Sequence, residues 1–353
     1  MTNQNQNPLF SDQVTKLLLE WYHQNARQLP WRETSDPYAI WISEVMLQQT
    51  QVDTVIPYYL RFLTKYPTVQ ALADAPESEI LKNWEGLGYY RRARLLHHGA
   101  KEVVQKYNCQ FPDNHQTILK IPGIGPYMAG AISSIAFNLP TPAIDGNVLR
   151  VVSRQLAWDE PIDSARSNQS IFEWVAQKFP TVHRGDFTQS LMELGALICT
   201  PRNPKCQICP ISHSCQGKAA PDKFPVKKAT KKIPVERRLV LIINWQGKRL
   251  LLKRPETGLM AGFWEYPNLL INIRGDEINQ ACEWTKQELG IALNFEFIHN
   301  TIHVYTHLRW ELEIYKTEWL FKKPPHTPEN GQWFTAEQER ALSRLAFMRK
   351  LKL

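Results

Sequence analysis

Ile121-Pro122-Gly123-Ile124-Gly125-Pro126 separates two stretches with helical spacing, Asn114 to Lys120 and Tyr127 to Phe137. Its glycines permit left-handed backbone and close approach, which frees amide N–H groups at a helix N-terminus to face a phosphate. Gly-x-Gly alone marks many ordinary helix-turn-helix loops. The full string between two helices predicts a hairpin that grips a nucleic-acid backbone without reading its sequence.

Outward from this hairpin, Leu9 to about Cys215 keeps helical spacing, broken by Pro, Gly and Asp/Asn, which predicts an all-α region. Asp36-Pro37 makes a cap and first turn, after which Trp41, Val45, Met46 and Val52 share one helix face as far as Pro57. Glu44, Gln48 and Gln49 fall towards another face. Between Gly217 and Arg238, eight Lys/Arg face two acids, a net +6, and Pro221, Pro225 and Pro234 predict a stiff, extended linker. It reads both as a solvated tether and as a basic strap over phosphates. Beyond it, strand patterns cover Leu239 to Trp245, Arg249 to Leu252, Asn294 to Ile298, Thr301 to Tyr305 and Trp310 to Trp319, with one helix near Ile278 to Leu289. The expected domains are residues 1–216 (hairpin about 114–137), a linker over 217–238, and an α+β domain over 239–353.

A chain of 353 residues, 43% hydrophobic, exceeds what one core usually serves. No run of about 18 apolar residues spans a bilayer, and Met1 to Phe10 is polar and Asn/Gln-rich, so the expectation is an intracellular, soluble protein, cytoplasmic or nucleoid-associated if bacterial; a monomer is expected. A net charge of +8 favours a polyanion over a membrane. Of six cysteines, Cys199, Cys206, Cys209 and Cys215 crowd into 17 residues, a four-thiolate set suited to zinc or to iron–sulfur. Cys109 and Cys282 read as ordinary half-buried thiols.

The hairpin string resembles the helix-hairpin-helix element of DNA-repair enzymes. The spacing Cys-x6-Cys-x2-Cys-x5-Cys, placed after it, resembles the [4Fe–4S] loop of the endonuclease III and MutY glycosylases. Leu29-Pro30-Trp31-Arg32, Ser43-Glu44-Val45-Met46-Leu47-Gln48-Gln49-Thr50, Gly86-Leu87-Gly88-Tyr89-Tyr90 and Ile144-Asp145-Gly146-Asn147-Val148 carry the likeness further. The chain thus resembles the MutY adenine glycosylases through nearly its full length. That resemblance implies a monofunctional base-excision repair glycosylase that flips adenine out of double-stranded DNA where it faces 8-oxoguanine or guanine. It also implies one [4Fe–4S] cluster on Cys199, Cys206, Cys209 and Cys215, shaping a DNA-contacting loop with Arg202, Lys205 and Lys218.

Cleaving an adenine–sugar bond needs a proton for the leaving base and negative charge beside an oxocarbenium-like sugar, two tasks for carboxyls with separated pKa values. By resemblance Glu44 is the acid that protonates adenine N7. Asp145 stabilises the sugar cation, by charge or through an adduct that water resolves; it equally suits a helix N-cap. Tyr127 stands where endonuclease III-like enzymes carry a Schiff-base lysine, so strand-cutting lyase chemistry is not expected. Tyr127 and Asn147 join the catalytic network, and Arg27 and Arg32 lie near the pocket against DNA. Gln49 fills the gap left by the flipped base, Tyr89 wedges beside the lesion, and Gly123 and Gly125 meet phosphate. Arg91, Arg92 and Arg94 are further phosphate candidates, His97 and His98 ordinary helix residues, and Gln189 a supporting one.

Gly258 to Glu265 and Glu288-Leu289-Gly290-Ile291 resemble a MutT-like (Nudix) fold. Of the magnesium-holding pattern Arg-Glu-x-x-Glu-Glu-x-Gly, the stretch Glu283 to Gly290 keeps one metal-binding Glu, Glu288, so pyrophosphatase activity is not expected. Where MutY reads 8-oxoguanine with Phe-Ser-His, this chain has Tyr305-Thr306-His307, implying recognition by a ring, a hydroxyl and an imidazole. A plain strand ending in a turn is the alternative. A bifunctional pyrimidine glycosylase and a non-catalytic cluster protein are the rival readings of the whole chain.

Overall fold

The computed structural model describes residues 9–227, 233–271, 275–305, 307–320, 322, 326–345, 347–348 and 351. The chain divides into two compact units, Met1–Asn83 with Arg91–Ala229, and Trp84–Tyr90 with Thr230–Leu353. Among the described residues no helix is long and apolar enough to cross a membrane.

Helices build the first unit: α1 Leu9–Asn25, α2 Pro37–Leu47, α3 Val52–Lys65, α4 Val69–Asp74, α5 Glu77–Asn83, α6 Arg91–Tyr107, α7 His115–Ile118, α8 Pro126–Phe137, α9 Gly146–Gln155, α10 Ala165–Ala176 and α11 Arg184–Leu197. One core joins Leu18 of α1, Val148, Val151 and Val152 of α9, Ile171 of α10, and Phe187, Leu191 and Leu194 of α11. Each such side chain contributes roughly 1.5–3 kcal/mol on burial. Every residue of α2 from Tyr38 to Met46 is buried, Glu44 included, so this helix has no solvent face of the kind its sequence spacing suggests.

The break after α2 also departs from expectation. Pro57 lies inside α3, and α2 ends ten residues earlier. The Arg92 guanidinium takes the carbonyls of Val45, Met46 and Gln48 and the Thr50 hydroxyl, and Gln49 turns left-handed at φ 58. These contacts satisfy the helix-end carbonyls that another turn of helix would have used.

In the hairpin, Asn114 caps α7 and Gly125 is the N-cap of α8. Only Gly123 of the two glycines is left-handed, at φ 82; Gly125 sits at φ −90. A Cβ on Gly123 would lie 2.8 Å from Leu95 Cβ, so the turn presses on α6. The linker too departs from its extended reading. Gln216–Ala219 and Pro221–Lys223 are 3₁₀ turns, clamped to α9 by Arg154 Nε donating to the carbonyls of Pro221 and Phe224. Lys228, Lys231 and Lys232 lie outside the described residues.

The second unit is a seven-stranded mixed sheet: β1 Val235–Trp245, β2 Lys248–Lys253, β3 Trp264–Glu265, β4 Asn268–Leu270, β5 Glu296–Val304, β6 Arg309–Glu318 and β7 Gly331–Thr335. The order is β3-β2-β1-β6-β5, with β4 on β1 and β7 on β2; β1 and β6 run parallel. The two expected strands around Asn294 to Tyr305 are one, irregular between Phe297 and His299. Helix α12, Glu277–Leu289, brings Ala281 and Leu289 onto Leu239, Leu241 and Ile243; α13 is Ala336–Ala341. Cys109, expected half-buried, is exposed, whereas Cys282 is partly buried.

Candidate active site

Helices α2, α8, α9 and α11 line a cleft of about 690 Å³ in the first unit. Its chemistry begins with Glu44, 6% exposed on a helix whose residues from Tyr38 to Met46 are all buried. Tyr127, one residue into α8, donates its hydroxyl to Glu44 Oε2. Burial pushes the Glu44 carboxyl up to about 7; the Tyr127 hydrogen bond pulls against this, while the nearby Asp145 charge adds to it. Burial, then the charge of Glu44, holds the Tyr127 phenol well above its ordinary value, so it stays a donor.

Asp145 lines the same cleft and caps α9. Its Oδ1 accepts from the Val148 amide at 2.7 Å and its Oδ2 from Asn147 Nδ2 at 2.7 Å. Burial raises its pKa; the donors from Val148 and Asn147 oppose the rise. Asn147 Oδ1 in turn accepts from Arg150, whose Nε donates to the Cys199 carbonyl at 2.7 Å. Gly195 of α11 permits this arrangement, since a Cβ there would lie 2.6 Å from Asn147 Cβ.

Arg27 and Arg32 also line the cleft, but both are engaged by Glu193, 1% exposed. Arg27 grips its two carboxylate oxygens at 2.8 and 2.7 Å, and Arg32 adds a bond of 2.8 Å. Burial alone would raise the Glu193 pKa; these donors outweigh it and bring it down to about 2. The arginines therefore build a wall of the cleft. Glu193 carried no signal in the sequence, because a lone Glu on a helix usually meets water. Gln189 and, from the linker, Lys227 line the cleft as well.

Gln49 is exposed at the rim on its left-handed turn, and Tyr89 is 46% exposed at φ 49 in the loop before α6. Arg92 is a correction. Arg92 is buried and holds the Gln48–Thr50 turn, and Arg94 pairs with Glu77 at 3.0 Å. Arg91 and His98 are exposed, and His97 is buried against the Ala73 carbonyl.

Cys199, Cys206, Cys209 and Cys215 line one cavity with Arg154, which donates to Cys199 Sγ at 3.3 Å. Burial, then the neighbouring thiols, pushes Cys209 up to about 11, so thiolates here require a cationic centre to form. An all-sulfur donor set with a guanidinium beside it fits an iron–sulfur cluster. In the second unit Tyr305 packs edge-on to Trp310 and His303, at 5.1 and 4.5 Å between centroids, and its amide donates to the Leu308 carbonyl. The Tyr305 hydroxyl is buried with no hydrogen-bond partner among the described residues. His307 is exposed, and Thr306 lies outside the described residues.

Comparison with known proteins matches residues 42–177 to the HhH-GPD superfamily of base excision DNA repair proteins, 199–215 to the iron-sulfur binding domain of endonuclease III, and 238–352 to the NUDIX domain. The chain is 34% identical to the adenine DNA glycosylase of Rattus norvegicus, over 97% of this chain and 79% of that one. It is 36% identical to that of Buchnera aphidicola (Baizongia pistaciae), over 82% of each. A thermostable thymine-DNA glycosylase superposes with TM-score 0.56 at 30% identity, covering 60% of this chain and 98% of that one. An endonuclease III–DNA complex, 23% identical with TM-score 0.50 over 59% and 96% of the chains, shares the fold. The cysteine loop accordingly carries one [4Fe–4S] cluster, and the macromolecule acted on is DNA. The chain belongs to the adenine DNA glycosylases, base-excision repair enzymes that hydrolyse the bond between a base and its sugar.

Proposed function

We propose that the enzyme excises adenine paired with 8-oxoguanine or guanine, working as a monomer and without strand cleavage, with residues 1–216 as catalyst and 239–353 as reader of the opposite base. The observation that carries this reading is the hydrogen bond from Tyr127 to Glu44, a carboxyl held near pH 7 in a cleft it shares with Asp145. Burial keeps the protonated form of Glu44 available towards neutral pH for general-acid work. Its proton passes to N7 of the flipped adenine, the N9–C1′ bond breaks, and the base departs neutral. Asp145 stands beside the sugar cation as an anion until water adds at C1′ and gives its proton to a cleft carboxylate, which restores the starting charge. Asn147 orients Asp145, and the Arg27–Glu193–Arg32 wall shapes the space for the base.

Gln49 fills the vacated stack and Tyr89 wedges beside it, while the Gly123–Gly125 turn holds phosphate through backbone amides. The cluster supplies a fixed shape to the loop from Cys199 to Cys215 and takes no part in bond cleavage. Thr306 and His307, beside the aromatic ring of Tyr305, meet 8-oxoguanine.

Single-turnover release of adenine from duplexes pairing it with 8-oxoguanine, guanine or thymine, beside thymine-glycol DNA and with borohydride present, tests this. Fastest release opposite 8-oxoguanine with no trapped adduct is expected, and loss of that preference in a Thr306→Ala/His307→Ala variant. Cutting at thymine glycol or a trapped adduct would favour the bifunctional reading.

A further inference from the structure

Away from the cleft, α1 and the start of α11 bring two imidazoles to one carboxylate. His23 Nε2 lies 2.9 Å and His183 Nδ1 3.4 Å from the same atom, Asp186 Oδ2, and the rings stand 5.8 Å apart, edge to face. The three ligand atoms fall within 4.8 Å of one another. His183 takes left-handed backbone at φ 57, a conformation in which asparagine or glycine would be less strained. Both rings also line a hollow of about 650 Å³ together with Glu20. Glu20 is one turn before His23, and residues three apart share a helix face. Its exposed pairing with Lys16 is loose, at 3.9 Å. The cation nearest in sequence, Arg184, is held elsewhere, donating to the carbonyls of Pro180 and Asn138.

We propose that His23, His183 and Asp186, with Glu20 as the closing ligand, bind a divalent transition ion of the zinc class. Imidazole and carboxylate donors suit such ions, and ligand bonds of about 2.0–2.2 Å in a tetrahedron set donor atoms roughly 3.4 Å apart. The His183–Asp186 pair already has that spacing, and the His23–Asp186 pair reaches it by opening a few tenths of an ångström. The ion ties the C-terminal end of α1 to the first turn of α11, the helix that carries Gln189 and Glu193 into the cleft. It is a structural staple, separate from the cysteine loop.

The test is zinc titration of the full, cluster-loaded chain against a fluorescent zinc chelator, with iron content followed in the same sample. One zinc per chain is expected without loss of iron, together with a melting temperature raised by a few degrees at about 100 times the dissociation constant. His23→Gln and His183→Asn should each weaken uptake roughly tenfold or more, Glu20→Gln less, with adenine release unchanged. Asparagine tolerates the left-handed backbone, so His183→Asn separates ligand loss from misfolding. No uptake by the wild type, leaving only a hydrogen-bonded His–Asp cluster, would overturn the proposal. So would equal uptake by His183→Asn, or zinc gained only as iron is lost.

Discussion

Tyr127 donates its hydroxyl to Glu44, joining the first turn of α8 to the middle of the buried helix α2. The bond favours the Glu44 anion, whereas burial and the Asp145 charge favour the protonated acid, and the balance falls at about 7. With Glu44 as the proposed acid and Asp145 as the anion, adenine release should decline above that value and decline again at lower pH as Asp145 takes up a proton. Tyr127→Phe removes the one contact that favours the anion through a hydroxyl. Its alkaline limb should move to higher pH, with base release slowed by roughly tenfold. A pH–rate profile under single-turnover conditions checks both, and an unmoved limb would separate Tyr127 from the titration.

The same raised pKa has a cost in stability. Between the unfolded value, 4.5, and about 7, the native state binds the Glu44 proton more tightly than the unfolded chain does. The Glu44 contribution therefore falls as pH rises through this window. Glu193 behaves oppositely. Its folded pKa is about 2 against 4.5 unfolded, so its stabilisation is full above 4.5 and is lost as pH falls towards 2. Glu193→Gln should flatten the acid limb of a melting-temperature profile and cost about 3–5 kcal/mol near neutrality, because two guanidiniums lose their buried partner.

Gly123→Ala should destabilise the chain by roughly 1–3 kcal/mol, since it combines left-handed backbone with a 2.8 Å approach to Leu95 Cβ. Thermal unfolding measures that loss. On the proposed phosphate grip of the hairpin, DNA affinity should fall alike for matched and mismatched duplexes, and a selective loss would contradict that role.

Arg154→Met should lower iron content per chain and the visible absorbance of the cluster, because Arg154 holds the carbonyls of Cys199 and Thr200 as well as Cys199 Sγ. Removing the cluster with chelator from the native enzyme should reduce DNA binding before it reduces bond cleavage in any complex that still forms. Arg150 makes the two effects overlap in part, as it touches both Asn147 and Cys199.

What the sequence revealed follows how local each signal was. Gly123 in its six-residue string, the four cysteines and Asp145 at a helix start announce themselves through neighbours in the chain, and the structure places each where that context pointed. The end of α2 was not legible, because Arg92, 47 residues after Val45, supplies the stop. Glu193 escaped notice for a like reason: its two partners are more than 160 residues upstream. Amphipathic spacing misled at Glu44, since its helix is buried from Tyr38 to Met46 and turns this carboxyl into the cleft instead of an outer water face. The short strands β3, β4 and β7 lack enough residues for alternation to show.

The most direct test of Glu44 as the acid is the single-turnover rate of adenine release by Glu44→Gln from a duplex pairing adenine with 8-oxoguanine, with binding measured alongside. Glutamine keeps the size of the side chain but has no proton to give. The expected result is a rate lower by about 10²–10⁴-fold with DNA affinity retained. Release at the wild-type rate would contradict the assignment of Glu44 as the proton donor.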